Sequence, residues 1–102
     1  MKIIYTKAAL NRLERVINFL LIEQEVPNKK VDEIVSNLLD QVDRLLESPY
    51  VGQKESYLKE LSKDHRRIIV NHIKVVYKVE QEMIYVTDVF DSRQDPDKMY
   101  LK

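Results

Sequence analysis

The chain has 102 residues, room for one domain with one modest core spanning 1–102. With 44% hydrophobic residues, no cysteine and a single glycine, it excludes a disordered chain, disulfides, thiolate metal sites and glycine-rich phosphate loops. Its 17 basic and 17 acidic residues cancel, which argues against a broad phosphate-gripping surface.

Lys2–Thr6 reads as a short strand through Ile3, Ile4 and Tyr5, too soon polar for a secretory signal. Thr6 is placed to cap the helix that follows, and Ala9 stands where a capping box would need Glu or Gln. Leu10, Leu13, Val16, Ile17, Leu20 and Leu21 recur at helical spacing, with Arg12, Glu14, Arg15 and Asn18 on the other side. Pro27 disfavours helical geometry at Val26, so this helix is expected to end near Glu25. Asn28 is expected to cap a second helix. There Val31, Ile34, Val35, Leu38, Leu39, Val42, Leu45 and Leu46 give the strongest periodicity in the chain. Ser48-Pro49-Tyr50-Val51-Gly52 closes it. The short break predicts an antiparallel helical hairpin. Its apolar stripe is too wide for a coiled-coil seam, so the hairpin is expected to cover one face of a sheet.

Gln53–Asp64 is a charged connection with an ambiguous strand candidate at Tyr57–Leu61. Arg66–Val70 reads as a strand, Asn71-His72 as a tight turn. Ile73, Val75, Tyr77 and Val79 then alternate with Lys74, Val76 and Lys78, a half-buried strand with one wet face. Glu80-Gln81-Glu82 turns into a last strand, Met83–Phe90. The expected fold class is α+β: an N-terminal strand, an antiparallel two-helix hairpin, then a three-stranded antiparallel meander completing one small sheet. No apolar run approaches membrane-spanning length. A cytoplasmic protein without a membrane partner is expected.

Charge is unevenly distributed. Lys54–Lys78 holds seven basic and three acidic residues, whereas Glu80–Asp97 holds six acidic residues and one Arg. This either creates a local field or describes solvated faces pairing across adjacent strands. His65 and His72 are an odd number of residues apart, so a regular strand aims them at opposite faces; each reads as an exposed or turn histidine, and no shared metal site is expected. Arg66, Arg67, His72, Lys74, Tyr77, Lys78, Tyr85, Arg93 and Tyr100 gather on the meander and its exit. Metal-free RNA cleavage needs a base for the 2′-hydroxyl, a cation for the phosphorane and an acid for the leaving oxygen. Those residues are sufficient for that chemistry, and they equally describe an ordinary solvated strand face.

The element order, the Arg opening the Arg66–Val70 strand, Tyr77-Lys78-Val79, the exit Val89-Phe90-Asp91-Ser92-Arg93-Gln94-Asp95-Pro96 and the upstream Ser48-Pro49-Tyr50-Val51-Gly52 link resemble the RelE/ParE superfamily of bacterial toxins. The resemblance covers nearly the whole chain. It implies the toxin half of a type II toxin–antitoxin module, neutralised by a cognate antitoxin, with neither cofactor nor metal. RelE-like members cut mRNA in the ribosomal A site. For that branch the resemblance implies Arg66, Lys74, Arg93 and Tyr100 as the catalytic set. ParE-like members poison DNA gyrase without such a site. The neutral net charge, and Asp88 and Asp91 near Arg93, favour the gyrase branch; the late Arg93–Tyr100 pair favours the nuclease. A degenerate toxin that only binds antitoxin is the third reading.

Overall fold

The computed structural model describes residues 1–54 and 64–94. Five strands form one sheet: β1 (Lys2–Tyr5), β2 (Gln53–Lys54), β3 (Arg66–Val70), β4 (Ile73–Glu80) and β5 (Met83–Asp91), in the order β1-β5-β4-β3-β2. The helices α1 (Lys7–Asn18) and α2 (Asn28–Asp43) cover one face, so the α+β layering expected from the sequence is present. β3, β4 and β5 form the antiparallel meander. β1 joins it in parallel beside β5, with Ile3 opposite Ile84 and Tyr5 opposite Val86. The ambiguous strand candidate Tyr57–Leu61 lies outside the described residues, and the two-residue β2 just before it pairs with Arg66 and Arg67.

Thr6 caps α1 as its position predicts: the Ala9 N–H donates to Thr6 Oγ1 at 3.1 Å. The helix then widens into a π-turn at Phe19–Glu23. It ends with Glu25 at φ 51° and the Val26 N–H on the Leu20 carbonyl, 2.9 Å away. A left-handed residue closing a helix is normally glycine, and here Glu25 does it ahead of Pro27. The N-cap of α2 is Pro27 and Asn28 is already helical, one residue from the sequence expectation.

Ala9, Val16, Leu20, Val31, Leu38, Val42 and Leu45 meet Val70, Ile73, Val75, Tyr77, Ile84, Val86 and Val89 in one core. Leu10, Leu39 and Leu46, read as part of the apolar stripes, are exposed instead. The phase of α1 puts Ala9 and Val16 inward. It also turns Arg12 from the wet side to a half-buried position, where its Nε lies 3.8 Å from Asp88 Oδ1.

β5 does not alternate cleanly. Val76 opposes Asp88 and Tyr77 opposes Val86, so Thr87 is an extra residue on β5. This bulge lets both Val86 and Val89 enter the helix-side core, although their odd separation would put them on opposite faces of a regular strand. The far face of β4 is not uniformly wet: Val76 is buried there with Phe90, between half-buried Lys74 and Lys78.

The β4–β5 hairpin turns through Gln81 (φ 51°) and Glu82 (φ 62°), the backbone of a type I′ turn. The β3–β4 turn carries Asn71 at φ 58°. None of these left-handed positions is glycine. The single glycine, Gly52, has another task.

Candidate functional site

Two polar knots sit at opposite ends of the meander, each built around an arginine singled out in the sequence. At the β2–β3 end, the chain leaving α2 passes against Tyr77. The Gly52 N–H donates to the Tyr77 hydroxyl at 3.0 Å. A Cβ at position 52 would lie 2.6 Å from that oxygen and 2.7 Å from the Arg67 carbonyl oxygen, so only glycine fits without displacement. Arg66 Nη1 donates to the carbonyls of Gly52 (2.8 Å) and Tyr50 (3.2 Å), and its guanidinium sits 5.3 Å from the centre of the Tyr50 ring. Arg67 Nη2 donates to Gln53 Oε1 at 3.1 Å, and Nη1 donates to the Lys54 carbonyl at 2.5 Å. The Tyr77 phenol is pushed above its ordinary value of 10.0 by burial, against the opposing pull of the Gly52 N–H and the Arg66 charge.

The second knot lies at the end of β5. Asp91 has no solvent-exposed surface. Its Oδ1 accepts the Arg93 N–H (2.9 Å) and Nε–H (3.0 Å), and its Oδ2 accepts Nη2–H at 2.8 Å. Arg93 Nη1 reaches Gln24 Oε1 at 3.1 Å, and the guanidinium lies 5.8 Å from the Phe19 ring centre. The Asp91 carboxylate holds the Arg93 guanidinium even further above its ordinary range. The π-turn after α1 supplies Phe19, and Gln24 is the residue that caps its C-terminal end.

The two arginines are not brought together. Arg66 is in register with Tyr77 and Asp91 with Ile73, four residues apart on β4, about 13 Å along the strand alone. Lys74 lies between Ile69 and Phe90, on the opposite face of the meander from the Arg66 position. Tyr100 lies outside the described residues. Asp88 and Asp91 do not stand as bare repulsive charges near Arg93: Asp88 pairs with Arg12, Asp91 with Arg93 itself. His65 is buried, unlike the exposed residue expected, while His72 is an exposed turn residue.

Sequence reasoning missed the partners rather than the arginines. Gly52, Tyr77 as a hydrogen-bonding residue, Gln24 and Asp91 as a counter-ion all went unassigned. Two signals were present. A lone glycine in a chain that turns elsewhere without it marks a close approach, and Asp-x-Arg after a strand places a carboxylate within reach of the guanidinium.

A third feature adjoins the first knot. An open cleft of ≈ 600 Å³ lies between the end of α2 and β3, lined among others by Arg44, Leu45, Val51, Arg67 and Ile69. Among the described residues no helix is long and apolar enough to cross a membrane.

Residues 3–96 match the family model described as "ParE toxin of type II toxin-antitoxin system, parDE". A solved structure described as the chromosomal ParDE TA system from P. aeruginosa is similar in fold, with a TM-score of 0.69 at 14% identity, over 89% of this chain and 95% of that one. No curated protein matches the sequence significantly.

Proposed function

We propose, from the premise that this chain belongs to the ParE toxin family of type II toxin–antitoxin systems, that it acts by binding DNA gyrase and not by cutting RNA. The observation that carries this reading is the Asp91–Arg93 knot. A cation that stabilises a phosphorane must face the reacting phosphate in the transition state. Arg93 instead places Nε and Nη2 on a fully buried carboxylate and Nη1 on Gln24. Taking it away would strand the Asp91 charge, a cost that opposes use of this side chain on a substrate. Arg66 is likewise engaged with two backbone carbonyls. In this reading both arginines are positioning residues. The neutral net charge supports it as well, since each phosphate contact draws on Lys or Arg.

A supercoiling assay tests the reading. The purified chain should inhibit gyrase, and expression should arrest growth and induce the DNA-damage response. Co-expression with the product of the adjacent reading frame, the expected antitoxin, should remove both effects. Growth arrest without any effect on supercoiling would defeat the gyrase assignment while leaving the family intact.

A further inference from the structure

We propose that the tip of the helical hairpin, Ile22–Glu25, is the surface that meets gyrase, with Ile22 entering an apolar pocket and Glu23 and Glu25 meeting basic groups around it. The proposal rests on the gyrase reading above and deepens it by naming the contact surface and the chemistry it requires of the partner.

Helical spacing puts Glu23 on the core side, since it follows the buried Val16 by seven residues and the buried Leu20 by three. It is exposed instead, because the helix widens there into the π-turn Phe19–Glu23. Phe19 and Leu20 stay in the core, while Ile22, Glu23, Gln24 and Glu25 all stand in solvent. Single turns of this kind inside helices are frequent at functional sites. Ile22 is 73% exposed, the most exposed large apolar side chain among the described residues. A lone exposed aliphatic residue is ordinary on a protein surface. This one stands on a backbone that is held in place.

The Gln24 N–H donates to the Phe19 carbonyl at 3.0 Å and the Val26 N–H to the Leu20 carbonyl at 2.9 Å. From the end of β5, Arg93 Nη1 donates to Gln24 Oε1, and the guanidinium lies against the Phe19 ring. Glu25, at φ 51°, carries a charged side chain where glycine would sit with less strain. Order already present in the free chain lowers the entropic cost of docking, so a fixed apolar knob suits a pocket. Charge selects what surrounds that pocket. Among the described residues neither Glu23 nor Glu25 forms an ion pair. Arg93, which touches the tip, has its charge cancelled by Asp91. On the first turn of α2 Lys30 is paired with Glu33, which leaves Lys29 against the two glutamates of the tip. The tip is therefore an apolar knob with an acidic rim, and a basic surface around an apolar pocket complements it.

Supercoiling inhibition by the full chain, measured with purified gyrase holoenzyme at low and high salt, tests this. Ile22→Asp should raise the concentration for half-inhibition at least about ten-fold. It should leave the melting temperature and the complex with the adjacent frame's product unchanged, because the side chain is exposed. Glu23→Lys should weaken inhibition less and make it less dependent on salt. Glu25→Gly should weaken inhibition with a melting temperature unchanged or higher, since glycine relieves the left-handed backbone; a purely structural role for Glu25 does not produce that combination. Wild-type inhibition that Ile22→Asp fully retains overturns the tip as the contact surface and leaves the gyrase reading standing. Loss of antitoxin binding in Ile22→Asp with inhibition retained assigns the tip to the antitoxin and overturns the proposal as well. Full potency in both glutamate variants overturns the basic partner surface. A wild type without effect on gyrase removes the gyrase reading and the proposal together.

Discussion

The two ends of the meander hold their arginines by different chemistry. Arg93 is gripped by a carboxylate without solvent contact, while Arg66 is held by neutral carbonyls and an aromatic ring. A buried carboxylate deprived of its cation has no alternative partner of comparable strength. A carbonyl deprived of a guanidinium can turn to water. The same residue type is therefore costly to remove at one end and an adjustable brace at the other. The consequence for function is electrostatic. Among the described residues, Asp91 cancels the charge of Arg93 at the end of β5, whereas Arg66 and Arg67 beside β2 are held by neutral oxygens, so a chain of zero net charge still concentrates positive charge there.

Arg93→Ala should show the difference most strongly. It should cost about 3 kcal/mol, the lower bound for breaking a buried pair, because the guanidinium is itself 36% exposed and part of its interaction is screened. Chemical denaturation of the free chain measures this, and a loss no larger than that of Arg66→Ala would erase the contrast. Gly52→Ala should come next, at about 2 kcal/mol of overpacking against Tyr77 and the Arg67 carbonyl. A neutral outcome would mean that the link can move away from β4.

Tyr77→Phe should cost on the order of 1–2 kcal/mol by leaving the buried Gly52 N–H without its acceptor. It also has a pH signature. The folded phenol titrates above its ordinary value of 10.0, so the stability it contributes is fully present below pH 10 and is lost as pH rises through the folded value. The wild type should therefore lose stability in that alkaline window more steeply than Tyr77→Phe; parallel curves would refute the assignment. Arg66→Ala should have the smallest effect, about 1 kcal/mol or less in stability. Its sharper effect should be on antitoxin association, which should become slower and less salt-sensitive in stopped-flow measurements.

Much of the fold was legible because helix periodicity is local. Leu38 and Val42 fall on the densest stripe of α2 and are completely buried, and Pro27 marks the inter-helix break. Alternation through Ile73, Val75 and Tyr77 gave the core face of β4. The parallel docking of β1 beside β5 was not legible, because four residues carry no register information of their own. The Thr87 bulge was hidden for a related reason: apolar residues at 86 and 89 violate the strand period, and only the partner strand reveals the extra residue. The candidate site was legible as residue types and illegible as roles. Arg66 and Arg93 stand out in sequence as cations, yet their partners come from Tyr50, Gly52 and Gln24, brought near by the fold. Asp91 was within reach in sequence, but its complete burial was not.

On the proposed gyrase-binding reading, Arg93 is a structural group and the chain leaves RNA intact. Purified chain added to ribosomes programmed with a defined mRNA, read by primer extension, tests it most directly. The mRNA should remain full length at concentrations that inhibit gyrase supercoiling, for the wild type and for Arg93→Lys alike. Cleavage within the A-site codon by the wild type, lost in an Arg93→Lys variant with an unchanged melting temperature, would contradict it.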